Sequence, residues 1–218
     1  MTPFGARPPA APPRLLAILV AVAALALHGM AAPGAGERVI VALGDSLTAG
    51  RGVAAGEAYP ARLQERLRRE GYHYRVVNAG VSGDTTAGGL RRVDWVLRAN
   101  PEIVIVALGA NDGLRGQPVG AMRDNLARIV ERLQAAGARV LLAGMRVPPN
   151  YGDSYAREFA AVFPAVARRA GVPLAPFLLD GVAAVARLNQ GDGIHPNAEG
   201  HAIMADRLWP HLVPLLKR

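Results

Sequence analysis

Three serines (Ser46, Ser82, Ser154) and five histidines (His28, His73, His195, His201, His211) are all the serine hydroxyls and imidazoles that this chain of 218 residues possesses. It has no cysteine, so thiolate nucleophiles, disulfides, iron–sulfur clusters and thiolate zinc sites are excluded. Oxygen nucleophiles with imidazole and carboxylate chemistry remain, and a serine–histidine mechanism has few possible assignments. Asp192 and His195 stand three apart in Gly191-Asp192-Gly193-Ile194-His195-Pro196. Pro196 disfavours helical backbone at His195, so the pair sits on a turn. There the carboxylate can accept from Nδ1–H and leave Nε2 free as a general base. Ser46 lies in Gly44-Asp45-Ser46-Leu47-Thr48-Ala49-Gly50, directly behind an apolar run. A serine at a strand end, close to a helix N-terminus, meets unpaired backbone N–H groups that favour a nascent oxyanion. Two further loops are rich in glycine and amide groups: Asn78-Ala79-Gly80-Val81-Ser82-Gly83-Asp84-Thr85 and Leu108-Gly109-Ala110-Asn111-Asp112-Gly113.

The same residues have plainer readings. Ser46 is also a good helix N-cap, Asn111 could be a turn amide, and Gly83 a turn glycine. Ser82 and Ser154 read as turn or cap residues, Asp45 and Asp84 as loop-organising acceptors, and His73, His201 and His211 as surface or capping groups. No His-x-x-His, His-Glu-x-x-His or acidic calcium-loop pattern occurs, so neither a metal nor a cofactor is expected.

Positioning these loops requires strands, and the pattern supplies them. Val39–Leu43 is a short β-branched run of the kind buried on both faces. Pro60–Glu70 has helical spacing and ends at Gly71; Tyr74–Val77 reads as a strand and Leu90–Arg98 as one helix. Ile103–Leu108 is the clearest buried strand. Met122–Ala136 is an amphipathic helix, Arg139–Ala143 a fourth strand, Ser154–Ala170 a helix containing Pro164, Val172–Pro176 a short fifth strand, and Ala198–Leu216 a closing helix. Strands alternating with helices imply right-handed βαβ units. The expected fold is therefore α/β, a three-layer α/β/α flavodoxin-like domain with a five-stranded parallel sheet and its ligands at the carboxyl ends of the strands.

Arg7 and Arg14 precede an unbroken apolar run from Leu15 to Leu27, and the small-residue stretch Gly29–Ala35 follows. Basic, apolar, then small is the order of a secretory signal peptide. Residues 1–31 are assigned to it, with cleavage between 26 and 35, and residues 37–218 to one domain. A periplasmic or secreted protein follows; an uncleaved anchor is the alternative, although the run falls short of the ~20 residues of a membrane span. The net charge is +8, yet Lys217 is the sole lysine among 25 basic residues. The arginines are scattered without interleaved aromatic residues, which points away from nucleic acid and leaves transient contact with anionic lipid. A monomer is expected.

With its four blocks in order at matching strand ends, the chain resembles the GDSL, or SGNH, hydrolase superfamily. Gly109–Gly116 and Met145–Gly152 are similar to a bacterial secreted branch of acyl-CoA thioesterases, lysophospholipases and arylesterases. The resemblance implies hydrolysis of small-molecule esters and thioesters through an acyl-enzyme, with Ser46 as nucleophile, His195 as base and then acid, and Asp192 orienting it. It also implies an oxyanion hole made by the backbone N–H groups of Ser46 and Gly83 and the side-chain amide of Asn111. The Gly-x-Ser-x-Gly elbow of α/β-hydrolases is absent. Loops carrying Leu114, Arg115, Arg146, Val147, Pro148 and Tyr151 are the expected substrate contacts: apolar groups for an acyl chain or ring, arginines for an anionic head group or for structural hydrogen bonds. The stretch Arg115-Gly116-Gln117-Pro118 lacks the bulky aromatic that the resemblance leads one to expect at this loop, which counts against a preference for long chains. A carbohydrate acetylesterase of the same superfamily and a non-catalytic lipid-binding module are the competing readings.

Overall fold

The computed structural model describes residues 38–218, and the proposed leader lies outside them. Five strands, β1 (Arg38–Gly44), β2 (Tyr74–Gly80), β3 (Ile103–Ala107), β4 (Arg139–Ala143) and β5 (Leu174–Ala175), form one all-parallel sheet in the order β2-β1-β3-β4-β5. This is the flavodoxin-like arrangement, whose direction of winding switches between β1 and β3. Ile103, Val104, Ile105, Val106 and Ala107 are all at 0% exposure, as expected of a central strand covered on both faces. Truncating Ile105 to alanine would cost about 2–5 kcal/mol. β2 mixes buried and exposed residues because it is an edge strand.

Helices α1 (Ser46–Ala49), α2 (Tyr59–Arg69), α3 (Thr86–Arg91), α4 (Val93–Leu97), α5 (Ala110–Leu114), α6 (Val119–Ala135), α7 (Asp153–Ala170) and α8 (Ala198–Leu212) complete the domain. α2 packs with α8 on one side of the sheet, and α3, α4, α6 and α7 pack together on the other. The amphipathic face read from α6, Leu126, Ile129, Val130 and Leu133, is buried throughout, and Met122 joins it. Among the described residues no helix is long and apolar enough to cross a membrane.

Two expectations are corrected and a third is narrowed. The single helix over Leu90–Arg98 is two helices meeting at Arg92. The Arg92 guanidinium is drawn to the end of the sheet, donating to Asp84 at 2.6 and 2.9 Å, to the Ala79 carbonyl at 3.0 Å and to the Gly44 carbonyl at 3.2 Å. The closing helix stops at Leu212, and Val213–Leu215 is a 3₁₀ turn, since Pro210 and Pro214 lack the N–H donors an α-helical end needs. Of the two readings of His201, surface or capping, the structure shows the second. The residue is 1% exposed, and its Nδ1 accepts from the Tyr59 backbone N–H at 3.3 Å, capping α2 from another element.

Candidate active site

Strand register builds the site. Gly44 pairs with Gly80 on one side and Ala107 on the other, so three loops leave the sheet from one row, and Ser46, Gly83 and Asn111 follow within a few residues. The row must be narrow. A Cβ on Gly80 would lie 2.2 Å from the Ala49 backbone nitrogen, and one on Gly44 would lie 1.9 Å from Thr48 Oγ1. Both glycines therefore let α1 sit directly on the strand ends.

Asp45 caps α1, its Oδ1 accepting the Leu47 N–H at 3.0 Å. Ser46 is the first helical residue, where backbone N–H groups have no partner inside the helix. Its Oγ lies 2.9 Å from His195 Nε2, and His195 Nδ1 lies 2.6 Å from Asp192 Oδ2. Asp192 Oδ1 also accepts the backbone N–H groups of Ile194 (3.1 Å) and His195 (3.0 Å). The three-residue spacing thus closes a turn as well as meeting the ring. These hydrogen bonds, that from the His195 ring foremost, hold the Asp192 carboxyl down at about 2, so it is an acceptor across the working pH range.

The groups expected on the oxyanion side, Gly83 and Asn111, occupy the neighbouring loops. Gly83 has φ +82°, a conformation that costs other residues about 1–2 kcal/mol. Asn111 donates through Nδ2 to Asp45 Oδ2 at 3.2 Å; the second hydrogen of that amide remains for another acceptor. Asp45 is fully buried, and desolvation raises its carboxyl to about 6 despite the bonds from Leu47 and Asn111. Asp112 ties α5 to α3 by accepting from Thr86 N (2.8 Å) and Thr86 Oγ1 (2.6 Å). Asp84 is held by Arg92, in keeping with its reading as a loop organiser.

The remaining expected contacts divide. Arg115 donates to the Gly83 carbonyl at 2.9 Å, and Tyr151 Oη donates to the Leu114 carbonyl at 2.8 Å. Val147 packs beside Gly113, whose Cβ would meet it at 2.4 Å, while Pro148 is exposed. Arg146 sits over the Phe177 ring, 4.8 Å from its centroid, and lines a cavity whose walls include none of Ser46, Asn111 and His195. Sequence reasoning missed Gln190. Its Nε2 donates to the carbonyls of Arg51 (2.7 Å) and Pro196 (2.9 Å), pinning the histidine loop beside α1; nothing in the local pattern marks it. It also missed two apolar neighbours of the site. Val81, Leu114 and Ile194 are three of the four exposed large hydrophobic residues among the described residues, and all three belong to the site's loops.

Among the described residues no group of histidine and carboxylate side chains could hold a metal ion. A strand-end serine hydrogen-bonded to a carboxylate-oriented imidazole, on a flavodoxin-like sheet, defines the class as a serine hydrolase. The chain belongs to the GDSL-like Lipase/Acylhydrolase family, whose model matches residues 42–203. It is 44% identical over 183 residues to Esterase TesA of Pseudomonas aeruginosa, covering 84% of this chain and 91% of that one. It is 38% identical to the Arylesterase of Vibrio mimicus (84% of this chain, 92% of that one). It is 39% identical to Thioesterase 1/protease 1/lysophospholipase L1 of Escherichia coli K12 (81% of this chain, 84% of that one). A crystal structure of TesA superposes with a TM-score of 0.80, covering 82% of this chain and 100% of that one at 44% identity. The protein is a serine ester hydrolase of this family; the acetylesterase and non-catalytic alternatives are not favoured by these relatives.

Proposed function

We propose that the enzyme hydrolyses esters and thioesters with apolar acyl or aryl groups through an acyl-enzyme on Ser46. The observation that carries this is the continuous chain from Ser46 Oγ through His195 to Asp192, at 2.9 and 2.6 Å. Ser46 Oγ attacks the substrate carbonyl carbon while its proton passes to His195 Nε2. Negative charge gathers on the former carbonyl oxygen, opposite the N–H groups of Ser46 and Gly83 and the free hydrogen of Asn111 Nδ2. The carbon–oxygen or carbon–sulfur bond then breaks, and the leaving group takes the proton from Nε2. Water, deprotonated by the same nitrogen, attacks the acyl-enzyme; the acid departs and Ser46 recovers its proton.

Val81, Leu114 and Ile194 would contact the apolar part of the substrate, with Val147, Pro148 and Tyr151 shaping the adjoining wall. The names of the relatives, an arylesterase and a thioesterase/lysophospholipase, support the same substrate classes. Arg115 and Arg146 add positive charge, suited to transient contact with anionic lipid. The chain is read as a monomeric, periplasmic or secreted enzyme whose residues 1–31 form a cleaved leader and whose residues 37–218 form the working domain. The test is a rate series over p-nitrophenyl esters and acyl-CoA thioesters of increasing chain length. Rates should rise from acetyl to medium-length acyl chains and fall at least about 10⁴-fold in Ser46→Ala. A preference for acetyl groups with no gain from longer chains would overturn the substrate assignment, and undiminished hydrolysis by Ser46→Ala the mechanism.

A further inference from the structure

Beside the carboxyl ends of β4 and β5, a cavity of about 300 Å³ is lined by Arg146, Phe177, Asp180, Arg207 and His211 over a floor that includes Leu178 and Leu208. Its volume suits about ten water-sized groups. None of Ser46, Gly83, Asn111, Asp192 and His195 lines it. Two guanidinium groups face this space without a full complement of protein acceptors. Arg146 sits over Phe177, with its Cζ 4.8 Å from the ring centroid, and among the described residues no carbonyl or carboxylate accepts a hydrogen bond from it. Arg207 Nε lies 3.6 Å from Asp180 Oδ2, too far for a hydrogen bond. Asp180 is the sole carboxylate on the wall, so the arginines leave a positive balance. A cation–π contact anchors a guanidinium while leaving its N–H groups available to a two-oxygen acceptor. Proline, leucine and phenylalanine surfaces below the charges suit an apolar body.

The geometry points to a second binding site, separate from the catalytic serine, for a small amphiphilic carboxylate or similar oxyanion. Its carboxylate would lie between Arg146 and Arg207, and its apolar part against Pro176, Phe177 and Pro210. Free acids of the kind this enzyme releases have that chemistry.

Calorimetric titration of the full domain with octanoate, 1-octanol and inorganic phosphate tests this. The catalytic cleft could itself take up octanoate, so each titration is repeated with Arg207→Gln and with the double variant Arg207→Gln/His211→Gln. Octanoate is expected to bind saturably and to weaken about tenfold or more on loss of Arg207, with octanol and phosphate both binding more weakly. Hydrolysis of p-nitrophenyl butyrate should stay within about twofold of wild type in Arg207→Gln, showing the fold and catalytic site intact. Octanoate affinity that ignores both variants would assign uptake to the catalytic cleft and overturn the proposal. So would octanol binding as tightly as octanoate, or phosphate matching octanoate, because one removes the need for charge and the other the need for apolar walls.

Discussion

Asp45→Asn should separate stability from turnover, with the sign of its stability effect set by pH. Burial lifts the Asp45 carboxyl from 3.8 to about 6, so the folded state holds a proton there that the unfolded chain has already released between those values. A raised carboxyl contributes stability that is present below 3.8 and lost as pH rises through 6. At pH 8 the ionised group therefore costs the fold about 3 kcal/mol relative to the neutral acid. Asparagine keeps the cap on Leu47 N, because its side-chain oxygen is as good an acceptor there. Its amide nitrogen, however, would face Asn111 Nδ2, donor against donor, forfeiting about 1 kcal/mol. The balance favours the variant by about 2 kcal/mol at pH 8, a melting temperature about 4–8 °C higher. At pH 4 the wild-type carboxyl is neutral, and the variant should be level or slightly less stable. Turnover should nevertheless fall about 10²-fold at pH 8, because Asn111 loses the acceptor that aims its amide. Scanning calorimetry at both pH values, with kcat on p-nitrophenyl butyrate, reads all three quantities. A melting difference of equal size at pH 4 and pH 8, or a variant destabilised at pH 8, would refute the desolvation argument. An unchanged kcat would refute the role of Asp45 in aiming Asn111.

His201 has the opposite linkage. Burial lowers its imidazole from 6.5 to about 4, so its contribution is present above pH 6.5 and lost as pH falls through 4, by about 3 kcal/mol. It opposes the Asp45 effect between pH 4 and 6, so Asp45→Asn should unmask a steep acid destabilisation in melting curves, and His201→Gln in that background should flatten it again. Arg115 clasps the Gly83 carbonyl and so acts through the oxyanion loop. Arg115→Ala should lower kcat about tenfold with little change in KM on a short neutral ester, and Arg115→Lys should restore part of the loss; a KM effect alone would make it a substrate contact instead. Asp192→Asn keeps an acceptor for the turn but removes the charge that selects the His195 tautomer, so kcat should drop by about 10⁴, measurable with activated esters, and because the lowered carboxyl stabilises the fold above its unfolded value the melting temperature should also fall at pH 7.

Legibility followed the range of the forces involved. β1 and β3 were readable because burial on both faces leaves only apolar side chains, and the Asp192/His195 pair because a proline and a three-residue spacing define a turn locally. The break at Arg92 was not readable, since the helical periodicity of Leu90, Val93 and Leu97 is real and the interruption comes from the Arg92 guanidinium bonding the ends of β1 and β2. The same holds for His201. A histidine inside a helical pattern carries no mark that it will cap α2, far away in the chain. Asp45 was legible as a loop acceptor, but its partner Asn111 became adjacent only through the pairing of β1 with β3. Arg115 and Arg146 looked alike in sequence. Their partners, the Gly83 carbonyl and the Phe177 ring, are set by packing alone.

Stoichiometric labelling by a p-nitrophenyl alkylphosphonate, followed by intact-mass and peptide analysis, tests the acyl-enzyme most directly, because the reagent leaves a stable adduct on whichever oxygen attacks. The account predicts complete loss of activity with a single adduct on the peptide containing Ser46, none in Ser46→Ala, and markedly slower labelling in His195→Ala. An adduct on Ser82 or Ser154, or equal labelling of Ser46→Ala, would contradict it.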